Sequence, residues 1–476
     1  MPANTKTLRV GLLAPVHDLD PRGGRDFVGG TILEQVFETP FEPAPDPDHP
    51  ARPLLLAETL RSEDGGRTLY APVREDVRFS DGTPLTADLL AEILSGSTRL
   101  AHQAKVEARD GRVVFRLEQP AARFDRVLTH RYCEVALVKD GEVLGTGPYQ
   151  VAADSRPERV RLVPNPERDR RPEIEEVLFE AYPPDGDGAP NALVRALEDG
   201  EVDFSNVLSR EHIARLKGSR KWLEPGIGTA SLYFNLERPA LADVRVRRAL
   251  ALAIDRVEVA RVSYHNPMSF TATGLLPPML GSWRDGIVHD PKRAAALLQA
   301  VGDGRPARLS LFVIYGPRPY LPQPMAVAEH LAERLGTLGV EVAIRQAENM
   351  THFFRELARG DYDLALSGWV ADTTDPADFL YALLSPEAIP ASGQRIVIDG
   401  NLARWKNHGV SEAIERYRRD PSQRNLEAVL KPVTDEMPLL PLMYGPTVYV
   451  YSPRVTGFRP SPLGIPRFAE LSLANL

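Results

Sequence analysis

The order of patterned segments in residues 308–370 predicts an α/β fold with parallel strands. "RLSLFVIYG" reads as a strand. "MAVAEHLAERLGTLG" reads as an amphipathic helix, with Ala328, Leu331, Leu335 and Leu338 in register and Gly339 as its stop. "VEVAIRQAE" is a second strand, "MTHFFRELARG" a helix ending at Gly360, and "DYDLALSGWV" a third strand. A β-α-β-α-β order implies parallel strands joined by right-handed crossovers. The second observation is length: 476 residues exceed one compact core and set two or three domains as the expectation. The third is composition. Hydrophobic content of 43% and charged content of 26% are ordinary for a globular chain, and 43 prolines favour ordered loops and crossovers over a helical bundle.

The remaining elements follow in chain order. "KTLRVGLLA" (6–14) is a strand, and "GTILEQVFETPFE" (30–42) a helix with Ile32, Val36 and Phe37 on one face. Residues 67–95 give a strand, a turn at Asp81-Gly82 and a helix with Thr86 as N-cap and Leu89, Leu90 and Ile93 inward. "AKVEARDGRVVFRLEQP" (104–120) is a hairpin around Asp110-Gly111. "RVRLVPNP" (159–166) and "IEEVLFEAY" (174–182) are strands. Residues 188–208 form a helix closed by Gly200 that leads into a short strand. Residues 229–263 give a strand, a loop and one long helix, with Val244, Leu250, Leu252, Ala253 and Val257 in the core. The Pro-rich patch 38–53 is a loop, and no internal repeat is evident.

Charge and motifs exclude several function classes. A net charge of −8 provides no basic field for nucleic acid. The single cysteine, Cys133, rules out an internal disulfide and a cysteine zinc site, and is expected to be a small buried apolar residue. His330 lies on a helix, His352 opens the next, and His265 and His408 fall in loops. None has ligand spacing to another, so no metal and no cofactor is expected. "GTGPYQV" (145–151) lacks the lysine of a phosphate-binding loop and reads as a tight hinge turn entering a strand. No stretch of 18 apolar residues suits a membrane span. The N-terminus carries no apolar leader core and no lipobox cysteine, which fits either a cytoplasmic chain or the mature part of a secreted one.

The parallel unit itself points to a site. Ligands of open parallel sheets sit at the carboxyl ends of the strands. The first strand is followed by "YGPRPYLPQP" (315–324) and the third by "WVADTTDP" (369–376), so Arg318 and Asp372 share one rim. A guanidinium fork beside a carboxylate suits a zwitterion, with the α-carboxylate at Arg318 and the α-ammonium at Asp372. Tyr320 and Trp369 would supply flat apolar walls. The plainer alternative is that Arg318 and Asp372 pair with each other or stay solvated. Asp375 is read as the N-cap of the next helix, with Pro376 at its first position.

Several segments, in order along nearly the whole chain, resemble the family 5 solute-binding proteins that serve ABC importers. They are "TLRVGLLAPVHDLDP", "VREDVRFSDGTPLTADLL" (73–90), "GTGPYQV", "LVPNPERD" (162–169), "ALEDGEVDF" (196–204), "LYFNLERPALADVRVRRALALAIDR" (232–256) and "LARGDYDLALSGWVADTTDPADFL" (357–380). The resemblance implies a periplasmic-binding-protein-like class II fold, a bilobal Venus flytrap with an additional small domain. Lobe I would comprise 1–42, 144–236 and 440–476, the small domain 43–143, and lobe II 237–439. Hinge closure about crossings near 236 and 439 would enclose the ligand. It also implies that the arginine of "RPYLP", Arg318, takes a ligand carboxylate and that Asp372, three residues after Trp369, takes a ligand amino group. Three departures stand out. Leu321 replaces an asparagine, Glu167 and Arg168 replace a tyrosine and a tryptophan after "NP", and the second domain is short.

The leading expectation is therefore a monomeric, non-enzymatic binding protein, periplasmic or at the cell surface. It would deliver a small peptide or other zwitterionic solute to an ABC permease and bind no nucleic acid. Alternatives are a cytoplasmic ligand sensor on the same fold and an enzyme using Asp372, Asp375 or Glu348. Peptide, opine, sugar and chelated nickel stay open as ligands, nickel being weakest because residues 369–376 contain no histidine.

Overall fold

The computed structural model describes residues 6–22, 27–185, 189–208, 212–213, 216–264, 270–391, 400–461 and 463–474. His265 lies outside them. The chain forms two compact units, residues 1–223 with 448–476, and residues 224–447.

In the first unit, β1 (Thr7–Leu12) runs to α1 (Phe27–Val36). The helix expected over 30–42 stops at Val36, and residues 41–42 are extended. Pro40 has no N–H to continue the helical ladder and holds Thr39 out of the helical region. An antiparallel sheet follows, built from β2 (Arg61–Glu63), β3 (Thr68–Pro72), β4 (Ala104–Arg109) and β5 (Arg112–Leu117), in the order β2-β3-β5-β4. Its last hairpin turns at Asp110 and Gly111, both at positive φ, as a two-residue turn of this twist requires. The helix Ala87–Ser95 is capped by the Thr86 hydroxyl, which accepts from Leu89 N at 3.2 Å. Its buried residues are Ala87, Leu90, Ala91 and Leu94, while Leu89 and Ile93 pack only partly, so the inward face is rotated from the expected one. Residues 41–135 enclose a hydrophobic core of their own, which contains Cys133. Burial raises the Cys133 thiol pKa well above its usual value.

A second sheet in this unit contains β6 (Tyr149–Val151), β7 (Arg159–Pro164), β8 (Glu176–Ala181) and β9 (Phe204–Ser205), in the order β6-β7-β8-β1-β9. β1 is parallel to β8 and β9, and Val450 and Tyr451 pair antiparallel to β9. The glycines of "GTGPYQV" serve close approach. A Cβ on Gly145 or Gly147 would stand 2.0 or 2.5 Å from the Val36 carbonyl oxygen. After "NP", Arg168 pairs with the buried Glu38 at 2.9 Å.

Asp203 ties this sheet together. It is 1% exposed and accepts from Arg9 N at 3.0 Å, Arg9 Nε at 2.8 Å and Arg9 Nη2 at 3.0 Å, with Arg454 Nε 3.5 Å away. Asp203→Ala leaves Arg9 without this fork. We expect a stability loss of about 2–3 kcal/mol for this unit, read as an earlier urea transition. An unchanged midpoint would mean that Arg9 resolvates without cost.

The second unit starts within β10 (Arg220–Phe234). The single long helix expected after it is two, α2 (Val244–Leu252) and α3 (Arg256–Ser263), because Asp255 leaves the helix and caps α3 by accepting from Val257 N at 2.9 Å. Leu250, Leu252 and Ala253 are buried as expected; Val244 and Val257 are half-buried. The unit continues through β11 (Arg308–Val313), α4 (Pro324–Gly336), β12 (Glu341–Gln346), α5 (Met350–Arg359), β13 (Leu364–Val370) and α6 (Pro376–Leu384). His408 opens the helix α7 (His408–Arg419) and is not in a loop. α8 (Gln423–Glu436) and β14 (Leu439–Tyr451), as far as Thr447, complete the unit. The sheet order is β14-β10-β13-β11-β12. β11 is parallel to both β12 and β13, and β10 is antiparallel to β13.

Candidate functional site

The expected rim exists within residues 224–447. β11 and β13 are hydrogen-bonded parallel neighbours, with Val313 opposite Leu366, and Ile314 N donating to Leu366 O at 3.1 Å. The segments holding Arg318 and Asp372 therefore leave the same sheet edge. Arg318 and Leu321 exchange both backbone hydrogen bonds, at 3.0 and 2.9 Å, so Pro319 and Tyr320 form the tip of a two-residue turn. Proline suits the first tip position because its φ is already fixed. The buried Tyr264 donates its hydroxyl to Pro319 O at 3.2 Å.

Arg318 is half-buried, and its guanidinium lies against the Met350 thioether at the start of α5. Its Nε is buried and has no acceptor among the described residues. No ion pair joins Arg318 to Asp372 or to any other described carboxylate. Of the two plainer alternatives, direct pairing of Arg318 with Asp372 is not seen. A thioether is a weak acceptor, so the fork retains capacity for an oxyanion.

Tyr320 is 7% exposed and its ring lies on the sheet beneath the turn, beside Gly368 of β13. Burial raises its phenol pKa, while the Arg318 charge and the Ser367 hydroxyl act in the opposite direction. Trp369 is half-buried near the end of β13, opposite Thr229, with its ring against Gly400. Asp372 is half-buried two residues beyond the strand. Asp375 is the cap it was expected to be, accepting from Ala377 N at 3.0 Å with Pro376 first in α6.

Met350, Tyr264 and the glycines under Tyr320 were missed by sequence reasoning. The signal available was glycine inside strand patterns, which often marks close backbone approach.

The sequence profile of the bacterial extracellular solute-binding proteins, family 5, matches residues 52–390. The di/tripeptide-binding protein 2 of Pseudomonas aeruginosa (strain UCBPP-PA14) is 26% identical over 389 residues, 78% of this chain and 70% of that relative. Among solved structures, HbpA2 from Haemophilus parasuis superposes with a TM-score of 0.82 at 20% identity, covering 98% of this chain and 100% of the other. The dipeptide-binding protein of Pseudoalteromonas sp. SM9913, solved in complex with Met-Leu, gives a TM-score of 0.81 at 21% identity, covering 98% and 100%. These likenesses show the periplasmic-binding-protein-like α/β fold expected from the sequence. With the profile spanning well over half its length, the chain belongs to the bacterial extracellular solute-binding proteins of family 5.

Proposed function

We propose that this solute-binding protein captures a small peptide or peptide-like zwitterion and delivers it to an ABC permease. The observation that carries the reading is Arg318, a half-buried cation with an unsatisfied Nε and no carboxylate partner among the described residues. Arg318 receives the ligand α-carboxylate, Asp372 on the neighbouring loop receives the α-ammonium, Trp369 is an apolar wall, and Tyr320 supports Arg318 from below. Relatives named for di- and tripeptides and for periplasmic peptide transport support a peptide ligand, a transport rather than catalytic role, and a periplasmic or cell-surface location. The separate core of residues 41–135 supports an additional small domain over 43–143.

Titration calorimetry with di- and tripeptides tests the reading. Asp372→Ala is expected to weaken a free-amine dipeptide by about tenfold to a hundredfold, the loss of one hydrogen bond to a charged group. The N-acetylated dipeptide should be unaffected. If no peptide binds, or if Asp372→Ala weakens both ligands equally, the zwitterion site is wrong.

A further inference from the structure

Three glycines on adjacent strands, Gly445 of β14, Gly228 of β10 and Gly368 of β13, lie under the 318–321 turn. A Cβ on Gly445 would stand 2.6 Å from Tyr320 Cα, 2.9 Å from Tyr320 N and 3.0 Å from Pro319 O. All three nearest atoms belong to the turn tip, and none to the sheet. A Cβ on Gly368 would stand 2.6 Å from two Tyr320 ring carbons and 2.4 Å from Thr229 O. A Cβ on Gly228 would stand 3.3 Å from Tyr320 Cβ and 3.2 Å from the Val370 side chain.

None of the three needs positive φ. Glycine within a strand weakens it by entropy and by lost packing, so three neighbours on one patch call for a local reason. The reason here is steric. Without side chains, the sheet lets a backbone turn lie directly on it. The turn is then held from below by the sheet, across its neck by the reciprocal Arg318–Leu321 bonds, and at its tip by Tyr264. A short turn held on three sides fixes the Cα of Arg318, and hence the origin of its guanidinium.

We infer that Gly445, assisted by Gly228 and Gly368, is a positioning residue that sets Arg318 at the height and angle needed to meet a ligand carboxylate. The inference rests on the role proposed above for Arg318. The three atoms nearest a methyl group at 445 all belong to the turn, so the group presses first on the turn and lifts Arg318.

The test uses the full chain carrying Gly445→Ala, with Gly336→Ala as control, since a Cβ there meets nothing within 4 Å. Amide hydrogen exchange is read first. In Gly445→Ala the Arg318 and Leu321 amides should exchange at least tenfold faster, while the Phe312 and Leu366 amides and the control keep wild-type rates. Calorimetry then compares Ala-Ala with its C-terminal amide. The preference for the free acid should fall at least tenfold in Gly445→Ala, as it does in Arg318→Ala. Wild-type exchange at 318 and 321 overturns the inference, and so does faster exchange with the acid preference intact. If Arg318→Ala itself keeps the preference, or no dipeptide binds, the carboxylate reading fails, and Gly445 then has no ligand-positioning role. Should Gly445→Ala not fold, Gly228→Ala, with contacts no closer than 3.2 Å, should move both readouts the same way by a smaller factor; no movement overturns the inference.

Discussion

Arg318→Ala is expected to weaken binding of a dipeptide with a free C-terminus by roughly 30-fold to several thousand-fold. Losing one partner of a desolvated, hydrogen-bonded charge pair costs about 2–5 kcal/mol, and each 1.4 kcal/mol is about a factor of ten. On the role proposed for Arg318, the upper part of that range is expected. Its Nε is already buried without an acceptor, so an arriving carboxylate satisfies a group whose desolvation has been incurred during folding. Arg318→Lys should recover only part of the affinity, because an ammonium restores charge but not the planar fork. The measurement is calorimetry on the free acid and on its C-terminal amide, with the loss confined to the acid. Equal losses for both ligands would assign Arg318 to the architecture of the turn alone.

Arg247→Met is expected to cost the second unit about 3 kcal/mol, which lowers its calorimetric unfolding midpoint by roughly 6–12 °C for a unit of this size. Arg247 is 3% exposed and sits on α2. Its Nη1 donates to Leu241 O at 2.7 Å and Ala242 O at 2.8 Å. Its Nε donates to Glu436 O at 3.0 Å and Met437 O at 3.1 Å, and Nη2 also bonds Glu436 O. Met437 ends α8 in the left-handed conformation, φ 49°, where glycine is usual, and the guanidinium gathers the carbonyls left open there. Burial lowers the Arg247 pKa, with Glu436 and Asp243 opposing the shift. Methionine fills the volume but leaves these carbonyls without a donor. A midpoint within 2 °C of wild type, about 1 kcal/mol or less at this size, would show that water replaces the guanidinium freely.

Much of the fold was legible because it is written in local patterns. The apolar period of 324–336, Thr86 and Asp375 as caps, and the Asp110-Gly111 turn each depend on neighbours a few residues apart. Where expectation and structure part, a nonlocal or competing interaction decides. Val244 to Ser263 has enough apolar residues for one helix, yet Asp255 satisfies the Val257 amide better as a cap than as an interior residue. Arg247 stands in an arginine-rich run, and its burial is made favourable by packing against the carbonyls at the end of α8.

The same division holds at the site. Strand order alone put Arg318 and Asp372 at one sheet edge, because parallel strands must end together. The sequence could not say that Tyr320 faces down onto the sheet or that the turn carrying Arg318 rests on it. Those depend on residues 228, 368 and 445, which are far apart in the chain and meet only once β10, β13 and β14 are adjacent. By itself, then, the sequence determined the α/β class, the family and the sheet edge that carries the candidate residues, since periodicity and motif order are local properties. The tertiary structure decided the height and support of Arg318, because steric clearance beneath a turn exists only after distant strands have paired.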